Sequence, residues 1–148
     1  CWLIQRGLKT QSIRVERHSQ NAKIIAEYLE GRFSEAIILY PFLESHPQFE
    51  IAKKQMSLGS GIITVDLGLD LETTKSFLNE LKLFTKAESL GGIESLICHP
   101  ASMTHASVPR DVREAVGITD SLFRLSVGIE NSEDLIKDIK LALDKIGI

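Results

Sequence analysis

The hydrophobic period changes repeatedly along this chain, and that alternation constrains the fold more than any other feature. Leu8, Val15, Ala22, Ile25 and Leu29 follow a three-then-four spacing with charged residues between them. The spacing predicts a long helix that begins as early as Leu8, with Gly31 as its C-terminal stop. Ala36 to Tyr40 is a short apolar run closed by Pro41, too short for an independent helix and suited to a buried strand. Ser45-His46-Pro47-Gln48 reads as a helix start capped by Ser45, and the helix to about Gln55 has Phe49, Ala52 and Met56 to bury. After the turn residues Gly59, Ser60 and Gly61, the β-branched segment Ile62 to Leu67 reads as a strand.

The second half repeats the pattern. Asp70 is placed to cap a helix whose inward face is Phe77, Leu78 and Leu81. Leu83 to Lys86 and Glu94 to Cys98 read as short strands on either side of Ser89-Leu90-Gly91-Gly92. Pro109 opens a short helix that Gly117 closes, Leu122 to Val127 alternates as a half-buried strand does, and Asn131 or Ser132 caps a last helix carrying Leu135, Ile136, Ile139, Leu143 and Ile146. Four or five strands interleaved with as many helices predict an α+β two-layer sandwich, with helices covering a single sheet, as one domain over residues 1–148. Mixed strand direction is compatible with amphipathic helices and short strands.

Composition excludes several function classes. A formal net charge of -3 with scattered Lys and Arg leaves no basic footprint for nucleic acid or an anionic membrane. No apolar run approaches the roughly 20 residues needed to span a bilayer. Cys1 and Cys98 are too few for a disulfide framework and lack metal-ligand spacing with His18, His46, His99 or His105, so a reducing, cytoplasmic setting is the default. A chain opening Cys1-Trp2-Leu3-Ile4, without an initiator methionine or a targeting segment, reads as a piece of something longer.

Few residues suggest chemistry by themselves. The glycine pair in Glu88-Ser89-Leu90-Gly91-Gly92 leaves backbone amides open to a small anion, although a plain hairpin or strand-switching loop has the same composition. Arg124 stands inside a strand whose neighbours are apolar, where its planar fork suits a carboxylate in two-point contact. An internal salt bridge, or the solvated face of an alternating strand, would also accommodate it. His99 and His105 have no identifiable nucleophile beside them and read as hydrogen-bonding loop residues. Gly59-Ser60-Gly61 lacks the lysine and the helix that make a phosphate loop.

Four blocks together carry more than any one of them: Arg6-Gly7-Leu8-Lys9-Thr10; Glu88 through Leu96; His99-Pro100-Ala101-Ser102-Met103-Thr104-His105-Ala106; and Arg124-Leu125-Ser126-Val127-Gly128-Ile129-Glu130. In this order they resemble the successive C-terminal signatures of the Cys/Met-metabolism pyridoxal-phosphate family. The resemblance implies the small C-terminal domain of a fold-type I enzyme, its mixed, mainly antiparallel sheet covered by helices and packed on the enzyme's own larger N-terminal cofactor domain. It implies that Arg124 grips the α-carboxylate of a sulfur amino acid substrate and that Ser89 helps hold the same group. It also implies that the lysine bearing pyridoxal phosphate lies upstream, outside this chain, so that the chain alone is inactive. Glu88 matches a position that is acidic in cystathionine gamma-lyases and gamma-synthases and apolar in methionine gamma-lyases, where an acid suits the distal ammonium of cystathionine. The run Lys82 to Glu88 and the opening Cys1 to Gly7 look closer to the gamma-lyases. Family members are commonly homotetramers. A stand-alone binding module that kept the fold and lost catalysis is the contrasting expectation.

Overall fold

Strands β2 (Ile62–Asp66) and β5 (Leu122–Ser126) form the centre of the sheet in the computed structural model, which covers residues 1–148. They pair antiparallel from Ile62 opposite Ser126 to Asp66 opposite Leu122. Strand β1 (Ile37–Leu39) adds antiparallel to β2, and β4 (Leu96–Cys98) adds antiparallel to β5. Strand β3 (Thr85–Lys86) lies parallel to β4 at the far edge, completing the order β1-β2-β5-β4-β3. The sheet is therefore mixed and mainly antiparallel, as expected.

Alternation along the strands gives the sheet two unlike faces. Ile38, Ile63, Val65, Ile97, Phe123 and Leu125 are buried against helices α2 (Gln11–Arg32), α4 (Leu71–Glu80) and α6 (Ser132–Lys145) in one core cluster of 21 residues. Burying a side chain of the size of Phe123 or Leu135 stabilises the fold by about 1.5–3 kcal/mol. Ala22 and Ala26 of α2 are fully buried and small enough to let the helix lie close, while the Phe77 and Phe123 rings meet at 5.3 Å between centroids. On the opposite face, the pairing register sets Leu39, Thr64, Arg124 and Cys98 in one row across four strands.

The helix ends follow local chemistry. The Asp70 carboxylate accepts from the amides of Glu72 and Thr73, both at 2.9 Å, and starts α4. The Asn131 side chain accepts from Glu133 N at 2.8 Å and starts α6. Helix α5 (Arg110–Ala115) follows Pro109 and ends before Gly117, whose φ of +83° suits a residue without a Cβ.

Five details differ from the sequence expectations, each for a visible reason. The first helical stretch is two helices, α1 (Trp2–Leu8) and α2, because Thr10 leaves helical geometry and Arg14 Nη1 turns back to Gly7 O at 3.0 Å. Leu8 and Val15 stay exposed, since α2 meets the core only from His18 onward. Gly31 lies inside α2, which continues to Arg32 and ends at Phe33. Ser45 does not cap α3 (Phe49–Gln55): its hydroxyl bonds the Glu30 carboxylate, and Met56, at the helix end, is exposed. Finally, residues 83–84 and 94–95 are not strand. The amides of Lys82, Leu83 and Phe84 are captured by the Asp138 carboxylate, and Ser95 N is captured by Glu130.

Candidate functional site

Arg124 sits in the middle of β5, the strand hydrogen-bonded on both sides, so its backbone is held by the sheet before its side chain touches anything. Because Phe123 and Leu125 take the core face, Arg124 must take the open one, between Thr64 and Cys98. No carboxylate forms an ion pair with it. Instead Nη2 donates to the carbonyls of Ser89, at 3.1 Å, and Glu88, at 3.4 Å. Its Nε is buried and has no hydrogen-bond partner. An unsatisfied buried donor costs about 1–3 kcal/mol, more when charged.

The structure therefore brings all three predicted site residues together. Glu88 and Ser89 meet Arg124 through their carbonyls, and both side chains are exposed. The charges of Glu88 and Arg124 both reach the Cys98 thiol. Burial pushes that thiol up, against the pull of Arg124 and with Glu88 adding to the rise.

The loop after Ser89 is docked on the end of β5, and the Gly91 amide, read in sequence as open to a small anion, is already taken. Gly91 N donates to Ser126 Oγ at 2.9 Å, and Ile129 N donates to Ile93 O at 2.9 Å. Ser95 is fully buried and bonds both oxygens of Glu130, from its amide at 2.7 Å and its hydroxyl at 2.9 Å. That hydroxyl also accepts from Gly128 N at 2.8 Å. Gly128 has to be glycine: a Cβ there would sit 2.7 Å from Glu94 C and collide with Ile93 O. A serine after a glycine pair and a glycine after a valine were the only traces in sequence, and neither names its partner.

The histidines divide between structure and surface. His99 is buried, and Asp120 O at 2.9 Å can only accept, so Nε2 donates and Nδ1 accepts from Ser102 Oγ at 2.7 Å. A ring fixed in one tautomer by two partners is a structural brace. The His105 ring bonds only its neighbour Thr104, at 2.8 Å. No group of three or more His, Cys, Asp or Glu is arranged to hold a metal ion. No helix is long and apolar enough to cross a membrane.

The family model for Cys/Met metabolism PLP-dependent enzymes matches residues 1–144. The chain belongs to this family. Among relatives, it is 56% identical over 144 residues to a cystathionine beta-lyase of Lactococcus lactis, covering 97% of this chain and 38% of that enzyme. It is 50% identical over 145 residues to a cystathionine gamma-lyase of Bacillus subtilis, covering 98% of this chain and 38% of that enzyme. The crystal structure of cystathionine gamma-lyase from yeast superposes with a TM-score of 0.92 at 44% identity, over 99% of this chain and 38% of that one. The chain thus spans about 38% of the length of these relatives.

For a family named for pyridoxal phosphate, the residues present can be tested against both ends of the chemistry. Every lysine in the chain is exposed or half-buried, and Lys75, Lys86 and Lys145 bond Glu72, Asn79 and Glu80 at the surface. A lysine that forms a Schiff base works from a desolvated or charge-shifted site. None of these lysines is buried among the residues present. The Arg124 guanidinium stands beside the 88–89 loop with no carboxylate partner.

Proposed function

We propose that residues 1–148 are the substrate-binding domain of a pyridoxal-phosphate enzyme of sulfur amino acid metabolism, a cystathionine gamma-lyase. The reaction takes cystathionine and water to cysteine, 2-oxobutanoate and ammonia. The observation that carries this reading is Arg124 on the open sheet face, without a carboxylate partner and with its guanidinium against the loop bearing Glu88 and Ser89.

In this proposal Arg124 binds the α-carboxylate at two points, with Ser89 helping from the loop. A carboxylate held at both oxygens cannot turn, so the Cα–H direction is fixed before any bond changes. Glu88, exposed at the cleft side of the loop, receives the distal ammonium of cystathionine. Electron withdrawal from Cα is the chemistry that pyridoxal phosphate supplies when bound. The lysine that holds it belongs to a larger domain upstream of this segment, and that domain is the first partner of this chain. Homotetramer assembly follows the same reading, with α1 exposing Trp2, Leu3, Ile4 and Leu8 as apolar docking material. A reducing cytosol suits the two free thiols, exposed Cys1 and buried Cys98.

The higher identity to the Lactococcus lactis beta-lyase favours a second reading, cleavage on the other side of sulfur to give homocysteine, pyruvate and ammonia. Product analysis of the full-length protein with cystathionine separates the two. Cysteine with 2-oxobutanoate supports the gamma-lyase; homocysteine with pyruvate supports the beta-lyase. Formation of cystathionine from cysteine and an O-acylhomoserine, without cleavage, points to a gamma-synthase, and thiol release from methionine alone points to a methionine gamma-lyase. No turnover of any of these substrates by protein loaded with cofactor refutes the reading.

A further inference from the structure

Arg124 has a fixed base, but its proposed partners Glu88 and Ser89 lie on a loop with no strand pairing of its own between Ala87 and Ser95. Something must hold that loop at the right distance. We infer that Glu130 is a positioning residue for substrate binding, locking the 88–95 loop onto the end of β5 through both hydrogen bonds to Ser95.

The lock is tied down on both sides. From the loop, the amide and hydroxyl of buried Ser95 engage the two Glu130 oxygens at 2.7 and 2.9 Å, across 35 residues of sequence. From the core, Asn21 of α2 donates to Gly128 O at 3.0 Å and to Glu130 O at 2.8 Å. His18 Nδ1 donates to Val127 O at 2.7 Å. The β5 extension carrying Glu130 is thereby part of the rigid body that also carries Arg124. The bare backbone of Gly128 lets the loop come into contact at Ile93 and Glu94, and Ser126 Oγ then receives Gly91 N at 2.9 Å, two residues along β5 from Arg124. Hydrogen bonds to a carboxylate are among the stronger ones, so Glu130 is the dominant fastening in this set. Its carboxylate touches no proposed substrate atom and acts only through the loop.

The inference rests on the carboxylate-clamp reading of Arg124, and the test keeps the two apart. In the full-length protein loaded with cofactor, Glu130→Ala removes both acceptors, whereas Ser95→Ala removes only the hydroxyl and carries the test if the first variant does not fold. Amide hydrogen exchange over residues 88–95, measured without substrate, is expected to accelerate about tenfold in Glu130→Ala while β2 and α6 are unchanged. KM for the amino acid substrate is expected to rise roughly tenfold, with a smaller fall in kcat, and Glu130→Gln to recover part of the loss. Unchanged exchange in both Glu130→Ala and Ser95→Ala overturns the lock. Accelerated exchange with unchanged KM, where Arg124→Ala raises KM, overturns the positioning role. If Arg124→Ala leaves KM unchanged too, the clamp reading has failed and this inference falls with it.

Discussion

Asp138 offers the sharpest measure of how this sheet is anchored. Its carboxylate, 7% exposed on α6, accepts from Lys82 N at 2.9 and 3.1 Å, Leu83 N at 2.8 Å and Phe84 N at 3.4 Å, so that three consecutive amides converge on one charge. Asp138→Asn conserves size and one acceptor. It turns charge-assisted bonds into neutral ones and sets an NH2 group against the remaining amide. Neutral bonds are about half as strong, and a donor left unpaired costs about 1–3 kcal/mol, so the substitution should cost about 2 kcal/mol and Asp138→Ala about 4 kcal/mol. With a urea slope of about 2 kcal/mol/M, the unfolding midpoint of residues 1–148 by far-ultraviolet circular dichroism should fall by about 1 M and about 2 M. A fall below about 0.2 M in Asp138→Asn would refute the reasoning, because the charge would then contribute nothing beyond filling space.

Three further side chains have measurable consequences. Arg124→Ala in the full-length protein should lower kcat/KM by roughly 100- to 1000-fold, the loss of a two-point charged contact, and Arg124→Lys should recover little because an ammonium cannot reproduce the fork; steady-state kinetics checks both. Asp70 is held below the usual carboxylate range by the Thr73 hydroxyl and by backbone amides. Its contribution to stability is therefore present above about pH 4 and lost as pH falls through its lower folded value, so urea midpoints should drop less steeply in acid for Asp70→Asn than for the parent. Burial, and then the charge of Glu27, push the Tyr40 hydroxyl up to about 12. Its contribution is full below about pH 10 and lost as pH rises through the folded value, and a tyrosinate absorbance titration should lose its latest step in Tyr40→Phe.

Local order was legible at Asp70 and Asn131, where the sequence itself supplied both partners, but not at Ser45, whose hydroxyl turns to Glu30. Asp70 and Asn131 bond amides two or three residues away, and β2 and β5 declare themselves by alternation, so caps and central strands came through. Where the partner is distant, the same residue types carried no signal. Asp138 holds amides 54 to 56 residues away, Ser95 finds Glu130 at a separation of 35, and in sequence each looks like any polar residue on a solvated surface. Periodicity failed in the opposite way at Leu8 and Val15: a three-then-four pattern shows that a face is apolar but cannot say what covers it. Arg124 was conspicuous because a charge among Leu122, Phe123 and Leu125 needs a reason. That its partners would be carbonyls, with Nε left over, required the fold.

The long contacts at Arg124 bear on the clamp proposed for it. A bond of 3.4 Å to Glu88 O lies beyond the usual range, and that of 3.1 Å to Ser89 O is ordinary, so together they hold the guanidinium weakly against neutral acceptors. A carboxylate arriving at the exposed end of the guanidinium would form charge-assisted bonds about twice as strong as neutral ones. In the proposed role, binding therefore gives up little. The loop carbonyls keep the fork aimed in the empty state, and the Ser95–Glu130 bonds keep those carbonyls in place. An arginine already paired with Asp or Glu would have to break a strong bond before gripping substrate; Arg124, with no such partner, starts from a state that a carboxylate can only improve.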